Sequence, residues 1–576
     1  MFNNAFFEAS ESDMTTLMPA MYLVILIVTF LLIRSVYATA MVILIIIPSI
    51  AFAMGFGGWI GVGLTPPSAS APTIITTLAV ADSIHFLVTM FNRMRAGFSQ
   101  REAIIYSLSV NGKPIFLTSI TTAVGFLSLN FSDSPPFHDL GNITAAGVMA
   151  AWLFSIVLLP ILMSIVTVKP RETLGFLNKH MENLGKFIAS KYKAVLALSV
   201  VASVLITSAI TRNEINDDFL KYFDEDITFR ADTDWISKNL TGLNQIQFDM
   251  QSKKPNGISD PKFLTNLEAF SQWARKQDVV TNVQSITDVF KRLNRDLNGG
   301  DTNFYQVPES RELAAQYLLL YELSLPFGLD LNNQIDIDKS STQVIVTIED
   351  LTTNEIKAWI KEAETFLTEE LSMDAVAAGP TVMFSYIAER NIQGMLWGTL
   401  YAVLIISGII LIALRDVRLG LLSLVPNILP AALAFGVWGM FVGQVNMAVA
   451  VVTGMALGVI VDDSVHFLTK YQLARKNDNL SAEKAVVSAF GGVGTALLVT
   501  TVILVAGFAI LAQSSFGLNS AMASLTAISL FMALIADLTI LPSLLILLDR
   551  KMSKQEPQSD IVCLLYTSDA ADDGLS

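Results

Sequence analysis

Apolar residues run along this chain in blocks too long for a soluble core. Blocks near 17–33, 39–58, 72–90, 113–129, 142–168, 193–210, 392–414, 419–441, 447–469, 492–513 and 519–547 are each apolar and long enough to cross a bilayer as a helix. The pattern therefore predicts eleven membrane helices, with Pro160 expected to kink the inner end of the block at 142–168 or turn it out of the bilayer. Between 211 and 391 the pattern changes to that of a soluble domain. Gln245–Met250 and Thr342–Ile348 alternate like half-buried strands, and Asp260–Gln277 and Thr353–Leu371 carry helical spacing. Phe263, Leu267, Phe270 and Trp273 form one stripe on the first of these helices, the pattern of a core face. Strand-like Val279–Ile286 and Ala375–Val382 follow the two helices, which predicts two βαβ-type units and an inserted α+β domain.

The pattern also returns. Asp82-Ser83-Ile84-His85-Phe86-Leu87 comes back as Asp463-Ser464-Val465-His466-Phe467-Leu468. Pro48 matches Pro430, Gly125-Phe126 matches Gly507-Phe508, Pro160 matches Pro542, and Thr118-Ser119 falls opposite Thr500-Thr501, all at an offset of 381 or 382 residues. An ordered series at constant spacing predicts two homologous bundles, roughly 14–168 and 392–547.

Composition agrees, since a chain that is 52% hydrophobic and 15% charged is no ordinary soluble protein. Loop charges give an orientation. Arg34; Arg93, Arg95, Arg101 and Lys113; Lys169, Arg171, Lys179, Lys186 and Lys191; Arg415 and Arg418; and Lys470, Arg475, Lys476 and Lys484 fall in alternate connections. The opposite loops near 59–71, 130–141, 442–446 and 514–518 contain no Lys or Arg. The positive-inside rule then puts the basic loops and the C-terminus in the cytoplasm, and the N-terminus and 211–391 on the far side. The net charge of −14 comes largely from that insert, including Asp217-Asp218 and Asp224-Glu225-Asp226, which reads as solvated surface and argues against nucleic acid as a partner.

Several chemistries are excluded. There is no Walker A sequence, and Gly491-Gly492-Val493-Gly494 opens a membrane helix without nucleotide-binding spacing, so it reads as helix packing. No nucleophile–base constellation appears, and His138 and His180 are too isolated to make a metal site. The expectation is a transporter rather than an enzyme, with no cofactor and no metal. The lone cysteine, Cys563, stands in Cys563-Leu564-Leu565-Tyr566-Thr567-Ser568-Asp569-Ala570-Ala571-Asp572, which resembles the translation of a sequencing adapter. Residues 563–576 are set aside as an artefact expected to pack on nothing, which leaves no disulfide.

Two of the four histidines sit at the repeated motif, one turn after an aspartate and on the same helix face. A carboxylate taken out of water is costly unless paired or protonated, and histidine offers a partner near neutral pH. Ionisable groups at membrane depth are therefore candidates for function. Asp82, Asp462, Asp463, His85 and His466 are expected to form a proton relay where the bundles meet, with Asp82 close to Asp462 and Asp463. Thr118, Ser119, Thr121, Thr122, Thr500, Thr501 and Asp537 can serve either helix packing or the relay, and their pattern leaves the choice open.

The pattern Gly458-Val459-Ile460-Val461-Asp462-Asp463 looks like the glycine-then-acidic-doublet signature of the resistance–nodulation–division (RND) superfamily. With the duplicated bundles, the insert and the segment Asn130-Phe131-Ser132-Asp133-Ser134-Pro135-Pro136-Phe137, the chain resembles that superfamily over roughly 1–547, and most of all its MMPL-like branch of predicted exporters. This branch shares a sterol-sensing-type five-helix bundle with Patched-like proteins. The resemblance implies a mainly α-helical polytopic protein of the bacterial inner membrane, driven by proton influx, that exports hydrophobic or amphiphilic, lipid-like substrates. A homo-oligomer or a periplasmic partner stays open. The alternatives are a sterol-sensing-type lipid receptor without net transport, or an accessory of protein translocation.

The implied layout is a remnant of a first outer domain (1–16), a five-helix bundle (17–168), a cytoplasmic connector (169–192) and a membrane helix (193–210). An extracytoplasmic domain (211–391), a second bundle (392–547), a cytoplasmic tail (548–562) and the adapter-like end (563–576) complete it. Two departures from the family pattern stand out. Ala81-Asp82 occupies the place of Asp462-Asp463, and Met1-Phe2 falls opposite Met383-Phe384 in the repeat. The second implies a permease lacking its first helix and first outer domain, which alone is not expected to complete transport.

Overall fold

The computed structural model describes residues 2–169, 173–326 and 330–553. Among them eleven helices are long and apolar enough to cross a membrane. They are α1 (Asn4–Ile33), α2 (Val36–Trp59), α3 (Ser68–Arg95), α4 (Gln100–Phe131), α5 (Pro135–Ile165), α6 (Phe176–Arg212), α7 (Pro380–Leu414), α8 (Val417–Phe441), α9 (Met447–Lys476), α10 (Ala482–Leu511) and α11 (Gly517–Arg550). The adapter-like end lies outside the described residues, as does the tail beyond residue 553.

The repeat is written into the helix ends as well as the apolar blocks. α1 and α7 both stop at an arginine in the left-handed conformation, Arg34 (φ 52°) and Arg415 (φ 50°), and the next residue caps the following helix. Ser35 accepts from the Ala38 amide, and the Asp416 carboxylate accepts from the Arg418 and Leu419 amides. Ser99 and Ser481 likewise cap α4 and the start of α10. Each cap satisfies an amide that the first helical turn leaves without an intrahelical partner.

Most helices extend beyond their apolar blocks, because the blocks mark the bilayer core while caps set the ends. The helical run containing α1 starts at Phe2, and α4 starts at Gln100 behind a complete Ser99–Glu102 capping box. The helix from Thr173 to Ser208 runs through the expected connector, and the non-helical Lys191 (φ −118°, ψ 24°) marks a kink where the apolar block was expected to begin. Pro160 does not end α5, which continues to Ile165.

The insert is an α+β domain. Strands β1 (Asn244–Gln251), β2 (Val280–Gln284), β3 (Ser341–Ile348) and β4 (Ala375–Ala378) form one sheet in the order β2-β3-β1-β4, with every neighbouring pair antiparallel. Helices Pro261–Arg275 and Thr353–Thr365 follow β1 and β3, so each βαβ unit is split by a strand of the other. The predicted stripe is core. Phe263, Leu267 and Phe270 are buried, Phe270 meets Phe248 edge-on with ring centroids 5.1 Å apart, and Trp273 stacks on Phe366 at 4.8 Å. The last strand is shorter than the expected Ala375–Val382, since Gly379 (φ 110°) turns the chain and Pro380 opens α7. The insert therefore continues directly into the second bundle.

Candidate functional site

α3 and α9 are the most enclosed of the long helices, with 94% and 83% of their apolar windows buried. They are repeat equivalents, and each is flanked by helices of both bundles. α9 comes closest to α4 of the other repeat, along a seam of glycines. A side-chain carbon at Gly458 would lie 2.8 Å from Thr122 Cα, and one at Gly125 would lie 2.9 Å from the Gly454 carbonyl oxygen. Lacking side chains, these residues let the backbones touch, and the Thr122 hydroxyl donates to the Gly458 carbonyl at 2.8 Å.

This approach brings the motif side chains together. His85 of α3 and His466 of α9 stack with ring centroids 4.0 Å apart and planes 2° from parallel. Asp462 sits against both rings, with Oδ2 3.9 Å from His85 Nε2 and Oδ1 3.4 Å from His466 Nε2. His85 and His466 are each 1% exposed. Asp82 is also buried, close enough to Asp462 for the two carboxylates to repel, and is approached by the Ser119 hydroxyl at 3.5 Å. That contact is long, and Ser119 lies nearer the Ile115 carbonyl, at 2.8 Å. In the second repeat the equivalent hydroxyl, Thr501, donates to Asp463 at 3.2 Å.

Asp82 thus meets Asp462 as expected, whereas the polar neighbours of Asp463 are Thr501, Asp537 and Asp462. The other hydroxyls divide by geometry. Thr118 lies beside the Asp462 carboxylate, Thr122 bonds across the seam, and Thr500 and Thr121 turn back onto their own helices. Asp537 is fully buried and accepts from Ser464 at 2.8 Å. It lies about four turns from the end of its helix, because α11 extends to Arg550. Its repeat equivalent is Ser155, so the second half holds Asp462, Asp463 and Asp537 where the first holds Ala81, Asp82 and Ser155. The site is two-fold in its frame and lopsided in its charge.

Sequence reasoning missed the glycine seam, although Gly125 stands in the repeat and Gly458 opens the acidic signature. It also missed a junction joining α9 to the insert. Glu214–Ile215 pairs in parallel with Gln444–Val445, immediately before α9. The Thr353 amide donates to Asn216 Oδ1 at 3.0 Å and the Asp217 amide to Thr353 Oγ1 at 3.1 Å, tying this strap to the insert. The Asp217 carboxylate accepts from the Tyr222 hydroxyl at 2.6 Å and from the Met447 amide at the start of α9.

Burial, supported by the neighbouring Asp218, pushes Asp217 up to about 6, although the hydrogen bonds from Tyr222 and Met447 oppose the shift. A carboxyl raised in the folded state favours folding most when protonated. Its contribution is complete below the ordinary aspartate range and is lost as pH rises through about 6. Asp217→Asn should therefore match the wild type in thermal stability at acid pH. It should exceed it above that window by up to roughly 3 kcal/mol, measured as a pH series of melting temperatures for the two chains. A difference that does not vary with pH would remove Asp217 as the titrating group.

Duplicated five-helix bundles, an α+β insert and acidic residues on the paired central helices define a polytopic helical membrane protein built from two repeats. The MMPL family model matches residues 2–181 and 334–565, well over half of the chain, and the protein belongs to the MMPL family. A putative membrane protein of Methanocaldococcus jannaschii is 23% identical over 178 residues, covering 31% of this chain and 46% of its own length. The crystal structure of SecDF in a super-membrane-facing form superposes with a TM-score of 0.58 at 13% identity, covering 96% of this chain and 63% of that one. The chain thus spans about half the length of the archaeal relative and less than two thirds of the SecDF chain. At that identity the SecDF likeness concerns the fold.

Proposed function

We propose that this protein is a secondary transporter of the bacterial inner membrane that uses proton influx to export hydrophobic or amphiphilic, lipid-like molecules. The observation that carries this reading is the buried set Asp82, Asp462, Asp463, His85 and His466 where the two repeats meet. Among the described residues no Lys or Arg pairs with these carboxylates, so protonation and the histidines are what can balance them. Such a cluster has two arrangements, ionised with Asp462 held against the two Nε2 edges, or protonated and loosened. A proton crossing the membrane field contributes about 2.3 kcal/mol per 100 mV, enough to bias a two-state helix packing. α9 carries the doublet and starts at the Asp217 junction, so a shift of α9 reaches the insert without an intervening loop. The basic ends of the helices face the cytoplasm in this reading, and the insert faces out.

The reading is tested in inverted membrane vesicles containing the full-length protein. Uptake of a fluorescent amphiphile should follow an imposed proton gradient and stop when a protonophore collapses it. Uptake that persists without a gradient would favour a lipid-binding or facilitative role.

A further inference from the structure

Three buried ring and carboxylate atoms at the repeat interface converge without finding hydrogen bonds. His85 Nε2, His466 Nε2 and Asp462 Oδ1 are each inaccessible and have no hydrogen-bond partner among the described residues. The donor atoms of these three residues all lie within 4.8 Å of one another. A buried polar atom left unpaired is costly, and three at one point call for a common partner.

We propose that His85, Asp462 and His466 form a binding site for a divalent transition-metal cation of the zinc type. Two imidazole nitrogens and one carboxylate oxygen suit zinc, cobalt or nickel, whereas magnesium and calcium take oxygen ligands. Three protein ligands leave a fourth tetrahedral position open. Metal–ligand bonds of about 2.0–2.2 Å place tetrahedral donor atoms roughly 3.3 Å apart. The 3.4 Å separation of His466 Nε2 from Asp462 Oδ1 already fits, and His85 Nε2, at 3.9 Å from the same carboxylate, needs a small inward shift. The rings stack face to face with planes 2° from parallel, so both must rotate out of the stack before their in-plane Nε2 lone pairs meet at one ion.

The surroundings favour a cation. Asp82 lies close to Asp462, and Asp463 and Asp537 lie close to one another, so four carboxylates gather within the two central helices and α11. A divalent charge would balance anions that are otherwise expensive to bury. The Asp462 side chain keeps 12% exposure while both rings keep 1%, so a small ion can reach the carboxylate first. Binding at this site does not depend on the proton-relay reading. If both hold, metal and proton compete for the same atoms.

The test uses the full-length protein in detergent, purified without a polyhistidine tag and titrated with cobalt(II). The expected result is visible ligand-field absorption that saturates at one equivalent. It should be lost in His85→Gln, His466→Gln and Asp462→Asn, and kept in His138→Gln and His180→Gln. No absorption, or absorption undiminished in the first three variants, would overturn the proposal. X-ray absorption of the zinc-loaded wild type needs no variant to fold. Two imidazoles with oxygen in the first shell support the site, and one imidazole or none overturns it.

Discussion

Asp82→Asn and Asp463→Asn, made singly in the full-length protein, should each bring gradient-driven export to background while leaving expression and membrane insertion intact. Asparagine keeps the shape of the side chain and can still accept from Ser119 or Thr501, the hydroxyls that approach these carboxylates at 3.5 and 3.2 Å. What it loses is the ionised state. Removing a proton-transfer group commonly costs about 10²–10⁴-fold in rate, so residual export should fall below detection. Asp537→Asn separates relay from anchor. Asp537 is held by Ser464 at 2.8 Å, and asparagine preserves that hydrogen bond, so a purely structural Asp537 predicts near-normal export in this variant. Near-normal, gradient-dependent export by both Asp82→Asn and Asp463→Asn would instead assign the carboxylates to helix packing.

Gly458→Ala should destabilise the folded membrane protein by at least about 1–3 kcal/mol, the usual cost of overpacking. The added carbon would sit 2.8 Å from Thr122 Cα and 3.1 Å from its carbonyl oxygen, and backbone cannot turn aside as a side-chain tip can. α4 and α9 would have to separate, which also weakens the Thr122–Gly458 hydrogen bond and the histidine stack. The repeat supplies the comparison. At Gly507, equivalent to Gly125, an added carbon meets the flexible Ile25 Cδ1 at 3.0 Å, and at Gly55 it meets nothing within 4 Å. The expected order of melting temperatures in detergent is therefore Gly458→Ala lowest, Gly507→Ala intermediate and Gly55→Ala near wild type. A Gly458→Ala protein that melts with the wild type would mean that the seam is looser than described.

Much of this architecture was legible because the bilayer imposes simple constraints. A spanning helix needs a long apolar block, and a duplicated bundle repeats its blocks and prolines at one offset, so all eleven spans could be placed. The alternating runs of the insert became β1 and β3, paired in register from Asn244 opposite Ile348 to Gln251 opposite Ser341. What failed were ends and directions. α1 and α11 outrun their apolar blocks because helix propagation does not stop at the edge of the apolar region.

Direction was harder still. Asp462 and Asp463 are neighbours in sequence, yet successive helical residues point about 100° apart. Asp462 therefore meets the histidines of both repeats, while Asp463 faces Thr501 and Asp537 within its own. No spacing rule distinguishes them before the helices are packed. The unequal acid count of the two halves could be anticipated only in part. Ala81 opposite Asp462 is visible in the doublet, but the pairing of Asp537 with Ser155 gains meaning only once Asp537 is seen beside Ser464.

In the proposed mechanism protons pass through this interface in step with transport. Its most direct test is proton entry into proteoliposomes that hold the full-length protein and a trapped pH-sensitive dye, recorded as an amphiphilic substrate is added under an imposed membrane potential. Substrate-triggered acidification is expected in the wild type and none in Asp82→Asn or Asp463→Asn. Equal acidification in the variants, or transport by the wild type without acidification, would contradict it.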